Sequence, residues 1–284
     1  GIRHSESDGS DTTDDDGVQY TITNATDTAA DSISLELDGI GTGSSGSTAT
    51  NFGINEIDVN AFETVNIASN TNSIATVRAD GTTAVAAAGA ITLNTLDLLT
   101  VSGTTTTVAL TGATDLTITD IAGSVMTSLD ASAMTGKFVG TVSVADDLAV
   151  KLAVDSSTFN FGSTLNNADS VVGGAGAADI VSATVTGLAA ATGALTISAV
   201  ETINLTTSGD NALNLAGVTG ATTIQVTDNV QTISGLDLGA TIHMNGAATA
   251  SEIDVTAADA TGSSDTLKVS TTGATSSIID ASAI

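Results

Sequence analysis

At 284 residues and 41% apolar content the chain can bury a core, but only 2% is aromatic, with no Trp, one Tyr and five Phe. That core must therefore come from Val, Ile, Leu, Ala and Thr, small and β-branched side chains that suit thin, regularly stacked sheets. Five Lys plus Arg against 32 Asp plus Glu, a formal −27, argue against nucleic acid and against docking on bare anionic lipid, while zero Cys excludes disulfides, thiolate zinc sites and thiol catalysis.

Residues 1–17 are polar and dense in carboxylates, with Asp11, Asp14 and Asp16 close together. They read either as an extended acidic arm or, packed beside another turn of chain, as a calcium-chelating rim. From residue 18 onward short β segments alternate with Gly, Asn, Asp and Ser clusters. In a first unit, 18–155, strands are expected at 20–23, 32–37, 56–59, 64–68, 74–78, 90–93, 98–102, 107–110, 115–119 and 138–144, with one more at 149–154. In a second, 156–284, they are expected at 170–172, 180–185, 194–198, 202–206, 212–215, 223–227, 232–234, 241–244, 252–256, 266–270 and 277–279. Strand centres return about every 8 to 14 residues, so the fold class is all-β. Two Ala-rich runs, 84–90 and 188–194, are too short for stable helices and fit single turns at corners. No run approaches the ~18 apolar residues of a membrane-spanning helix, and no N-terminal signal peptide is visible.

Tandem β-sandwich domains would show the same strand spacing, but their hairpins favour Asn-Gly and Asp-Gly turns, which are scarce here. Proline is absent, as suits interior strands that must donate N–H groups to neighbours on both sides. Runs such as 99–123 and 203–229 read as Thr, Val and Ile ladders turned by single Gly, Asn or Asp residues. An elongated parallel β-solenoid (β-helix) is favoured over the sandwich array.

Two landmarks recur at one offset. Ala30-Asp31-Ser32-Ile33 matches Ala168-Asp169-Ser170-Val171, and Glu63-Thr64-Val65-Asn66-Ile67 matches Glu201-Thr202-Ile203-Asn204-Leu205, both at 138 (168 − 30, 201 − 63). A third, the run from Leu129 to Met134, recurs from Ile279 to Ile284 at 150 (280 − 130), so the second copy carries about a dozen extra residues of the kind surface loops accept. The pattern is expected to continue past Ile284. Glu63 and Glu201 are charges among apolar neighbours and need partners, a neighbouring backbone or a cation rather than a substrate. Asp130 and Asp280 fit caps on backbone amides. His4 and His243, far apart, are assigned no shared metal or catalytic role.

Repulsion at −27 calls for dispersed counter-ions or bound divalent cations, and with oxygen ligands abundant the expected ion is calcium (Ca2+). An acidic surface that keeps a secreted or salt-exposed protein soluble explains the charge equally well. The loop Gly173-Gly174-Ala175-Gly176-Ala177-Ala178-Asp179-Ile180-Val181 resembles the calcium-binding nonapeptide of RTX (repeats-in-toxin) proteins, with Asp179 one position late and one copy where that family stacks several. The resemblance implies backbone oxygens at Gly174 and Gly176 and a carboxylate at Asp179, with Asn166, Asn167 and Asp169 able to supply further oxygens; a glycine corner with Asp179 capping free N–H groups is the other reading. Over roughly residues 20–284 the order of these motifs is similar to the β-strand repeat region of bacterial surface-layer (S-layer) and RTX-type secreted proteins. This implies an extracellular, cell-surface structural protein that self-assembles with calcium into a layer, coat or filament. Its partner is itself, with cell-surface polysaccharide as a further one. An RTX-type adhesin or ligand-binding module is the alternative, and a flat Thr array at 104–107, or Thr117 with Thr119, would serve one that binds ordered water. No catalytic signature is present, and the five basic residues are scattered, so an enzyme is not expected.

Overall fold

The computed structural model describes residues 18–24, 26, 28, 30–38, 54–70, 76–77, 83–84, 93–123, 125–143, 147–185, 195–207, 211–227, 230–245, 252–258, 266–272 and 278–283. They form a parallel β-solenoid. One sheet holds 11 strands in chain-sequential order along the axis, beginning Val18–Thr23, Ile54–Asn60, Leu93–Ser102, Asp115–Gly123 and ending Thr223–Thr227, Thr241–Asn245, Lys268–Thr272. A second, of 8 strands, runs from Ser32–Asp38 to Val218–Thr219, and a third, of 4, takes over from Asn211–Asn214 to Ile278–Ala283. At ordinary interstrand spacing the 11-stranded sheet is about 50 Å long. It runs unbroken past residue 155, where the first repeat unit was expected to end.

Coil stacking follows from alternation. In the 11-stranded sheet one inward column reads Ile118, Gly140, Phe159, Val181, Ile203, Ile224, Ile242 and Val269. Its counterpart in the 8-stranded sheet reads Ile33, Val65, Val108, Leu129, Val150, Val171, Ile197 and Val218. The sheets bury these columns against each other, and polar residues alternate outward. Three of the aromatics sit together inside: Phe159 lies 5.0 Å edge-on to Phe161 and 6.2 Å from Phe138. Gly140 makes room for this cluster, since a Cβ there would stand 2.5 Å from the Phe138 ring.

Several expectations shift. The run around Asp130 is a strand, Ser128–Met134, rather than a turn, but it is bulged after Asp130, whose Oδ1 accepts the Ser132 N–H at 3.0 Å as the expected cap; its partner landmark is the strand Ile278–Ala283. Thr158–Asn160 and Val218–Thr219 are further strands too short to stand out as patterns. Within 74–84 the described residues form a small antiparallel pair, Thr76–Val77 with Thr83–Ala84. The Ala-rich runs 85–90 and 188–194 lie outside the described residues.

Candidate functional site

A parallel ladder satisfies main-chain groups only along its strands, so each corner between sheets leaves amides without partners. Carboxylates fill that need here, one coil reaching back to the one before. Glu63 Oε2 accepts the Asp31 N–H at 2.6 Å, and Glu201 Oε2 accepts the Asp179 N–H at 2.8 Å. Asp169 Oδ1 accepts the Leu148 N–H and Asp179 Oδ1 the Ser157 N–H, both at 2.7 Å. Ser157, Asp179 and Glu201 form a column with one residue per 22.

The two glutamates share a local frame. Each follows an alanine in the left-handed region, Ala61 at φ 63° and Ala199 at φ 53°, with Phe62 or the buried Val200 between. The left-handed residue turns the chain through the corner, the apolar one anchors it, and the glutamate then faces the previous coil. Yet the corners differ: Glu63 leads into the 8-stranded sheet at Thr64–Asn70, Glu201 into the 11-stranded sheet at Thr202–Thr207.

The glycine loop has a packing reason. A Cβ on Gly173 would stand 1.6 Å from the Ala199 carbonyl oxygen, one on Gly174 1.7 Å from that of Ala153, and one on Gly176 2.7 Å from the Ser156 nitrogen. The loop is thus pressed between its two neighbouring coils, where only glycine fits. Inside it Asp179, fully buried, accepts the Gly174 N–H on Oδ2 at 2.8 Å as well as Ser157 on Oδ1. Asp169, buried at the opposite corner, likewise takes Asn166 N–H on Oδ2 and Leu148 on Oδ1. No protein-family model, curated protein or solved structure matches this chain.

Of the predicted ligands, the structure therefore joins Asn166 to Asp169 and Gly174 to Asp179, at separate corners. At both, amides rather than carbonyls point at the carboxylates, which is the geometry of a cap, and a cation on those oxygens would compete with two N–H donors each. Gly176 packs against the backbone of Asp155 and Ser156. Asp11, Asp14 and Asp16 lie outside the described residues, among which no three carboxylate or imidazole groups converge on a metal position.

The charge environments diverge. Burial raises the Asp179 carboxyl above its ordinary value; the Ser157 and Gly174 amides resist this, and the charges of Glu201 and Asp155 add to it. Burial likewise raises Asp169 against the amides of Leu148 and Asn166, with Asp147 adding repulsion. Asp31 goes the other way, lowered by the Thr28 hydroxyl and amide and by Asn24. For Asp130 burial pulls upward, but the bond from Lys151 Nζ at 2.8 Å and those from Ser132 leave it lowered.

Sequence reasoning passed over Asp31 as a corner acceptor, Asp155 as the neighbouring charge and Asp115, whose Oδ1 accepts the Lys137 N–H 22 residues on. The recurrence of acidic residues at that interval was the signal available. His243 hydrogen-bonds Ser270 through Nδ1 at 2.6 Å on the outer surface. The flat array expected at 104–107 is a corner instead: Thr105 is buried with its hydroxyl on the Ser102 carbonyl, and the Thr106 hydroxyl donates to the Glu63 carbonyl.

Proposed function

We propose that this chain is a non-catalytic structural protein of the cell exterior that assembles with copies of itself into a calcium-dependent layer, coat or filament. The observation that carries the reading is the unbroken 11-stranded sheet, whose corners are tied coil to coil by carboxylate and amide bonds. Such a stack resists bending because each described coil is hydrogen-bonded to its neighbours along the strands of its sheets. Stiffness along one axis is what a coat or spacer requires. Repeating outer columns also offer the same contact many times, which suits head-to-tail or lateral association.

Calcium enters this reading through charge. Copies each carrying −27 repel one another, and a divalent counter-ion bridging acidic surfaces relieves that cost. Electron microscopy of the purified chain in millimolar calcium and in excess chelator, with a melting curve for each, tests it. Ordered sheets or fibres that dissolve on chelation are the expected outcome. Monodisperse particles indifferent to calcium would overturn the proposal.

A further inference from the structure

The outer surface of the 11-stranded sheet is divided along the solenoid axis. Strands Ile54–Asn60, Leu93–Ser102 and Asp115–Gly123 carry Glu56, Asp58, Asp97, Asp115 and Asp120. Asp58 Oδ1 and Asp120 Oδ1 are enclosed there without a hydrogen-bond partner. The seven strands that follow, from Phe138–Val142 to Lys268–Thr272, contain no carboxylate at all. In a chain with 32 acidic residues this leaves a wide field of strands without a carboxylate. Its middle outward column reads Asn160, Ser182, Asn204, Gln225, His243 and Ser270, each aligned with the next across a parallel ladder. The columns on either side are mostly Thr, and Lys268 stands exposed at the far end.

We infer that this carboxylate-free field, residues 158–272 of the 11-stranded sheet, is the face through which two copies of the chain meet. The inference rests on the self-assembly reading and names its contact. Without a bridging cation, a surface carrying −27 approaches another like it most closely where its carboxylates are missing, and this field meets that condition. Its hydroxyl and amide groups are both donors and acceptors, so the same patch can satisfy itself across a two-fold axis. Six strands at about 4.8 Å, with three outward positions about 6.7 Å apart, cover about 600 Å2 per copy, so a pair buries about 1,200 Å2, the lower bound for a specific interface. An antiparallel overlap also brings the Lys268 end of each copy toward the acidic strands of the other, and in that direction the charges attract.

The test uses the whole chain in sedimentation velocity, with and without calcium. Asn204→Asp with Gln225→Glu puts charge in the middle of the field, and Ser34→Asp with Thr111→Glu puts equal charge on the outer face of the 8-stranded sheet. The field variant is expected to associate at least tenfold more weakly than wild type, and the control to match wild type, with the melting temperature of each confirming its fold. Because the chain has no cysteine, Asn204→Cys supplies a second measurement that leaves the charge unchanged. A bismaleimide that spans about 10 Å, the separation of two packed sheets, should crosslink it into dimers, whereas Ser34→Cys stays monomeric. A folded field variant that associates like wild type, or Asn204→Cys that fails to crosslink under associating conditions, overturns this face and leaves self-assembly standing. Wild type that stays monomeric at every concentration overturns both. Monomers that adsorb to an insoluble polysaccharide through this field, and lose that adsorption in the charged variant, overturn the second copy as its occupant.

Discussion

The corner at Asp31 and Glu63 and the corner at Asp179 and Glu201 use one device and differ in everything around it. In both, an aspartate N–H donates to a glutamate of the next coil, and the glutamate sits two residues past a left-handed alanine. At the first, Asp31 is partly open and surrounded by the donors Thr28 and Asn24. At the second, Asp179 is enclosed by a glycine loop, holds two amides and faces Asp155 as well as Glu201. The hydrogen bond to the glutamate is the same, but solvent access sets the energy of the aspartate carboxylate beside it.

The largest expected difference comes from the glycine loop. Gly173→Ala forces a Cβ onto the Ala199 carbonyl oxygen, and neither backbone can yield without parting the coils. We expect a loss of about 4 kcal/mol or more, read as a lowered urea midpoint or failure to fold. Asp179→Ala comes next. It strands the buried amide of Ser157, at about 1–3 kcal/mol, and the partly buried amide of Gly174 at a smaller cost. Asp31→Ala should cost clearly less, because water can reach the groups it releases. Equal losses at the two positions would remove the distinction between the corners.

The same comparison shows what could be read from the sequence. Strand content, the parallel stack and the aliphatic core were legible, because alternation and small turns are local signals. The glutamate landmark was legible as well, but as a corner and not as a place in the coil. Glu63 and Glu201 match residue for residue yet feed different sheets, since nothing in five residues says which sheet comes next. The intervals blur this further: Glu63 caps an amide 32 residues back, Glu201 one 22 back. For the GGAGAAD loop, composition alone left open whether amides or carbonyls would face Asp179. That was decided by Ala153 and Ala199, whose main chain lies in the adjacent coils.

Acid titration should separate the corners with opposite signs. Asp169 and Asp179 are raised above 3.8, so the folded chain takes up protons before the unfolded chain does. Their contribution to stability therefore rises as pH falls through their folded values and stops rising below 3.8. Asp31 and Asp130 are lowered, so their contribution is complete above 3.8 and is lost as pH falls through their folded values beneath it. Urea melts from pH 7 downward should show Asp179→Asn gaining less than wild type on mild acidification. Asp31→Asn should lie below wild type by a constant amount at neutral pH and converge on it only at the acid end. Identical profiles for wild type and Asp179→Asn would mean that burial at this corner carries no charge penalty.

The smallest effect concerns what the two corners share. A left-handed alanine costs about 1–2 kcal/mol relative to a right-handed one, while glycine gives back about 0.4–1 kcal/mol through its freer unfolded chain. Ala61→Gly and Ala199→Gly should therefore each stabilise by about 0.5–1 kcal/mol, and by the same amount, because the strain belongs to the backbone and not to the carboxylates beside it. Gly220 supplies the reverse case. It stacks on Ala199 at φ 81°, and a Cβ there meets its nearest neighbour at 3.4 Å, so Gly220→Ala carries the conformational cost without a clash. Midpoint shifts at unchanged m-value, upward for the two alanines and downward for the glycine, would assign the corner to backbone conformation. Unequal gains at Ala61 and Ala199 would instead mean that the surroundings that separate Asp31 from Asp179 reach the turn itself.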